Sequence, residues 1–184
     1  MSRTSLLFVI TGCLIGLQAA YMPLKAELAQ WLLEKSWQET LRENAQHKPW
    51  PWADTYPVAR LSLGDVSHIV LQGASGRTLA FGPGHLTGTS EPGSSGHVVI
   101  SGHRDTHFRA LEDLEIDEEV LLEDSAGIKH RYRIESIRIV DTRDERLNWD
   151  PSKPTLSLIT CYPFDAPDAG TPYRYRVDAS LLNG

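Results

Sequence analysis

The sequence predicts a mostly β domain, a sandwich or barrel of short strands, held behind a helical N-terminal appendage. Three observations carry this reading. Short runs rich in Val, Ile, Leu, Tyr and Thr recur from Pro57 onward, separated by Gly, Pro, Asp and Asn clusters. The eleven Pro and fourteen Gly are scattered mainly over the last two thirds of the 184 residues, which argues against a helical bundle. The opening stretch, by contrast, is apolar for longer than any later segment.

That opening stretch runs Leu6-Leu-Phe-Val-Ile-Thr-Gly-Cys-Leu-Ile-Gly-Leu-Gln-Ala-Ala20, with Arg3 before it and Lys25 after it. Extended to Leu24 it approaches the ~20 residues that span the hydrocarbon of a bilayer. Residues 1–23 are therefore expected to form an uncleaved signal anchor, with a cleaved signal peptide ending near Gln18-Ala19-Ala20 as the competing reading. Leu24, Leu28, Trp31, Leu32 and Leu41 then recur near helical spacing among Lys, Glu, Gln and Arg, predicting an amphipathic helix from Leu24 to about Glu43. His47-Lys-Pro-Trp-Pro-Trp-Ala-Asp54 cannot continue it, because each proline removes a donor and restricts its predecessor. Residues 24–56 thus form a helix and a Pro/Trp linker, and residues 57–184 the β domain.

Within that domain the predicted strands are Val58–Ser62, His68–Leu71, His97–Ser101, Glu119–Glu123, Lys129–Glu135, Thr155–Thr160 and Arg174–Ala179. A short helical turn is expected between His107 and Leu114. The net charge of −6 gives no electrostatic reason to expect a nucleic-acid partner. The densest acidic stretch, Glu112 to Glu119, lacks the ladder of an EF-hand loop and reads as a solvated edge.

Of two cysteines, Cys13 lies in the apolar run and Cys161 stands alone beyond it. An exported domain with one thiol cannot close an internal disulfide, so the thiol is either an inert small hydrophobe or a reactive group. Its setting favours reactivity. In Thr155-Leu-Ser-Leu-Ile-Thr-Cys161-Tyr-Pro a strand ends at the thiol, where a rigid scaffold meets an open loop. A second apolar strand breaks at Gly102 in Val98-Val-Ile-Ser-Gly-His103-Arg-Asp-Thr-His107 and delivers His103 into a polar loop. Cysteine catalysis needs a thiolate, and a neighbouring imidazole can activate the thiol and protonate a leaving amine. Arg174, at the start of Arg174-Tyr-Arg-Val-Asp-Ala179, supplies a cation for a tetrahedral oxyanion. Arg176 shares its face by period-two alternation and competes for that role.

Together these segments resemble the sortase family. Ser157-Leu-Ile-Thr-Cys161 is similar to the TLxTC element, with Ser157 where the pattern has Thr; Ser-Gly-His103-Arg resembles the catalytic-His segment; Arg174-Tyr-Arg-Val177 resembles the RxxV strand. Gly82-Pro-Gly-His-Leu-Thr-Gly-Thr89 is similar to a glycine-rich stretch ahead of the His. Tyr162-Pro163 and the N-terminal anchor look most like the class found in Gram-negative bacteria. The resemblance implies an eight-stranded β-barrel with short helices. It also implies a transpeptidase that cleaves an LPxTG-like C-terminal sorting signal and passes the acyl group from Cys161 to an amine acceptor. Cys161 would be the nucleophile, His103 the general acid and base, Arg174 the clamp, and Thr160 part of the site lining. No metal or organic cofactor is implied. The expected location is the inner membrane, single-pass, with the catalytic domain on the periplasmic side.

Rival readings remain. On a strand, His103, Asp105 and His107 would point one way and could hold zinc for a hydrolase. Papain-like peptidases place Cys before His, the reverse of the order here, and the SxGC-type element of L,D-transpeptidases is absent. An anchored β domain that only binds a partner, with Cys161 buried, is the non-enzyme alternative. His85, in a Gly/Pro loop, is a lesser rival to His103; His68, His97 and His130 read as packing or surface residues.

Overall fold

The computed structural model describes residues 3–145, 148–167 and 170–182, with side chains from Tyr21 onward except Met22 and Pro23. Helix α1 spans Arg3–Glu43. There follow strands β1 (Pro57–Leu63) and β2 (Val66–Gln72), the short helix α2 (Gly76–Leu79), and strands β3 (Gly84–His85) and β4 (Val98–Ser101). A 3-10 turn at Arg109–Asp113 leads to β5 (Glu119–Asp124), β6 (Lys129–Asp141), β7 (Thr155–Cys161) and β8 (Tyr173–Leu181). The strands close into a barrel in the order β1-β2-β3-β4-β7-β8-β6-β5. The pairs β2–β3 and β4–β7 are parallel and the others antiparallel.

Alternation fills the barrel. Leu61, Val70, Ile100, Leu122, Ile134, Leu156, Leu158, Val177 and Ala179 point inward and are buried, joined by Phe108, Leu111 and Phe164 from the connections. β2 reads as an unbroken run, Ile69-Val-Leu71, because both its faces are covered. Val70 enters the core, while Ile69 and Leu71 pack outside the barrel against Leu33 and Trp37 of α1.

The eight-stranded barrel expected from the resemblance is present, with two differences from the strand pattern. β3 is only two residues long, too short for any periodicity to reveal, and is held by pairing with β2 and β4. β6 continues six residues beyond the predicted Glu135, because the register slips between Ile134 and Ser136 and breaks the alternation there.

α1 ends at Glu43 as predicted, but its buried face differs from the expected one. Ala29, Leu33, Ser36, Trp37 and Thr40 are buried, whereas Leu24, Leu28 and Trp31 are exposed. The barrel recruits a stripe that contains Ser and Thr, whose hydroxyls bond to the His47 and Ser36 carbonyls, so apolar spacing alone pointed elsewhere. Of the linker tryptophans, Trp50 packs edge-on against Phe81 and Trp52 is solvent-exposed. Among the described residues no helix is long and apolar enough to cross a membrane. The apolar run Leu6–Ala20 lies outside the described side chains.

Candidate active site

β7 and β8 pair so that Cys161 stands opposite Arg174, Ile159 opposite Arg176 and Ser157 opposite Asp178. Residues directly opposite in an antiparallel pair share a face. Leu156, Leu158, Val177 and Ala179 hold the core face, so these three pairs lie on the outer face of the barrel wall. The Cys161 thiol is free and half-buried at the last residue of its strand.

His103 arrives from the parallel neighbour. β4 pairs with β7 up to Ser101 opposite Ile159, and the Gly102 N–H then donates to the Ile159 carbonyl at 3.2 Å. The Thr160 hydroxyl, buried on the inner side, donates to the Gly102 carbonyl at 2.8 Å. Thr160 thus fastens the two strand ends together rather than lining a groove. Only glycine fits at 102, since a Cβ there would meet the Phe108 ring at 2.8 Å. The His103 side chain is solvent-exposed, and its carbonyl caps the following turn by accepting from Thr106 and Phe108.

Arg174 Nη1 donates to the carbonyls of Thr171 (2.6 Å) and Tyr173 (2.8 Å), so its own loop orients the guanidinium. Nε and Nη2 have no protein partner among the described residues. Arg176 is differently placed. It is buried, donating through Nε to Asp178 (2.8 Å) and through Nη1 to the Asn148 carbonyl (3.1 Å). Ser157, fully buried, donates to the same Asp178 carboxylate. His97 completes this network. Its Nδ1 accepts from the Asp150 N–H at 3.2 Å, which leaves Nε2–H to donate to Ser157 Oγ at 2.7 Å. Burial, and then the Arg176 charge, push the His97 imidazole below its usual pKa and keep it neutral.

The network roofs the outer face of β7 with residues 148–150. Sequence reasoning missed it, reading His97 as packing and Arg176 as a rival clamp. The only signal was the unusual row of Arg174, Arg176 and Asp178 at alternate positions of a strand.

The zinc reading does not survive the backbone. His103, Asp105 and His107 lie in a loop and turn, so strand alternation does not align them, and no three metal-binding side chains converge among the described residues. His85 is buried and held by Gln72, Thr89 and the Ser90 carbonyl, which makes it part of loop architecture.

A family model described as Sortase domain matches residues 61–182, about two thirds of the chain. The chain belongs to the sortase family. A stretch of 96 residues is 36% identical to Sortase D of Bacillus subtilis (strain 168), covering 52% of this chain and 48% of that protein. The match therefore spans about half the length of the curated relative. Among solved structures, sortase A from Corynebacterium diphtheriae shares 30% identity with a TM-score of 0.62, over 72% of this chain and 64% of that one. A Clostridium perfringens sortase D5 transpeptidase superposes over 85% of this chain and 99% of its own, with a TM-score of 0.66. At 21% identity it bears on the fold alone.

Proposed function

We propose that this sortase is a cysteine transpeptidase that cleaves a C-terminal sorting signal through a thioester on Cys161 and transfers the acyl group to an amine. The observation that carries the reading is the outward-facing pair Cys161 and Arg174, with His103 brought to the same barrel end by the parallel β4–β7 pairing. In this scheme the Cys161 thiolate attacks the scissile carbonyl, and the carbonyl oxygen becomes an oxyanion beside the Arg174 guanidinium. As the tetrahedral adduct collapses, His103 gives its proton to the departing amine, leaving the thioester. An incoming amine then attacks the thioester, passes a proton to His103 and releases the Cys161 thiolate. Family membership and the half-exposed thiol support this over a binding module with an inert buried Cys.

The finer reading is a single-pass protein of the inner membrane, with its catalytic domain on the periplasmic side, of the class found in Gram-negative bacteria. Support comes from the apolar run Leu6–Ala20, from Tyr162-Pro163 after the thiol, and from α1. Tyr21, Leu24, Leu28 and Trp31 are exposed and form one stripe, roughly 150° around the helix from the face packed on the barrel. Lys35 lies over the Trp31 ring at 5.9 Å, the pairing of aromatic and snorkelling cation favoured at a lipid interface. Residues 1–23 would anchor the chain, 24–56 would link it, and 57–184 would be catalytic.

The deciding experiment incubates the full-length chain in detergent with a library of LPxTG-like peptides and traps the acyl-enzyme by mass spectrometry. A peptide-specific adduct on Cys161 is expected, and Cys161→Ala should abolish it. An adduct that persists in Cys161→Ala would overturn the assignment.

A further inference from the structure

The segment that carries His103 and the loop that follows Cys161 are joined by two arginines. Arg104 is 4% exposed, although it is charged and lies in a loop. Its Nη1 donates to the Pro163 carbonyl at 2.6 Å and its Nη2 to the Ala166 carbonyl at 2.5 Å, while Nε reaches the Asp105 carboxylate at 3.0 Å. Pro163 and Ala166 are the two ends of one turn, closed by the Ala166 N–H donating to the Pro163 carbonyl. The guanidinium fork therefore grips both ends of that turn at once. Arg109 adds a third bond to the same turn, from Nη1 to the Phe164 carbonyl at 2.9 Å, and lies over the Phe164 ring at 5.8 Å.

Removing a cation from water is costly, and an apolar side chain would fill the same volume without that cost. What an apolar residue cannot do is fix two carbonyls in a defined plane. Arg104 directly follows His103, and Pro163 stands two residues after Cys161. The backbone between the guanidinium and each reacting group is thus too short to absorb much displacement. On the other side of the site, Thr160 and Gly102 make the same join through the strand ends.

We propose that Arg104 is a positioning residue, which sets the imidazole of His103 against the thiol of Cys161 by clamping the turn Pro163–Ala166 to the histidine loop. The proposal rests on the reading of Cys161 and His103 as the reacting pair. A displacement of about 1 Å between reacting groups can cost on the order of 100-fold in rate. Arg104 makes no contact with substrate in this scheme, so its loss lowers kcat and leaves KM nearly unchanged.

The test compares wild type with Arg104→Lys and Arg104→Met in the full-length chain, after thermal melts identify the folded variants. Two readouts are taken: turnover of an accepted peptide, and the rate of Cys161 alkylation by iodoacetamide at pH 7 relative to pH 9. In folded variants kcat should drop ten- to hundredfold at constant KM, and alkylation at pH 7 should fall at least threefold relative to pH 9, because the displaced imidazole no longer sits against the thiol. A purely structural role would leave that ratio unchanged. Folded variants with wild-type kcat and an unaltered ratio overturn the proposal. If neither variant folds, Arg109→Gln decides, since that side chain is half-exposed and holds the same turn. It should lower the ratio in the same direction, and an unchanged ratio overturns the proposal. Alkylation needs no substrate, so a wild-type chain that acylates no peptide refutes the transpeptidase reading without touching this one.

Discussion

Cys161 and Arg174 are direct partners across the β7–β8 ladder, on the outer face and at the end where both strands open into loops. Opposed side chains of an antiparallel pair have Cβ atoms about 5 Å apart, so thiol and guanidinium start from neighbouring points on one face. Arg176, one pleat further in, opposes Ile159 and is committed to Asp178, Ser157 and the Asn148 carbonyl.

The two arginines should therefore fail differently. Arg174→Ala is expected to reduce kcat/KM about 100-fold or more, the usual loss for one oxyanion donor, with little change in urea midpoint. Arg176→Ala strips the partner from a largely buried carboxylate and should cost about 2–4 kcal/mol of stability. Peptide turnover and urea melts of both variants check this. A stable, fully active Arg174→Ala would move the clamp elsewhere.

Acid should loosen the histidine loop through His107. Its ring meets that of His68 edge-on, with centroids 5.4 Å apart. Burial first, and then the neighbouring His68 and His103, push its pKa down to about 4. The folded pKa lies below the unfolded value near 6.5, so the unfolded chain binds more protons between those limits. The contribution is fully present above about pH 6.5 and is lost as pH falls toward 4, on the order of 2 kcal/mol. Melts from pH 7.5 to 4.5 should show a shallower loss in His107→Gln than in wild type; parallel curves would refute the assignment.

The exposed stripe on α1 should touch lipid. Reconstituted into vesicles containing brominated phosphatidylcholine, the full-length chain should show tryptophan quenching that Trp31→Phe largely removes. Trp52→Phe, in the exposed linker, should leave it in place. Quenching that is indifferent to Trp31 would separate this face from the bilayer.

Much of this protein is written locally. Cys161 and His103 are each marked by an apolar strand that stops beside a polar or turn residue, and strand ends are a property of neighbouring sequence. The mostly β class, sandwich or barrel, followed from alternation and punctuation, the closed barrel from the family resemblance, and the end of α1 from the prolines beyond it. Arg174 and Arg176 were not separable in that way, because alternation gives them one face and says nothing of what covers it. Only the packed chain decides: residues 148–150 fold over Arg176 and leave Arg174 at the rim. The same holds for β3, for the face of α1 that meets the barrel, and for Arg104, whose carbonyl partners lie 59 and 62 residues away. The sequence by itself determined which residues could react, since that depends on side-chain chemistry and local strand termination. Tertiary structure decided which charges are committed and which are available, because burial and hydrogen-bond partners are set by segments distant along the chain.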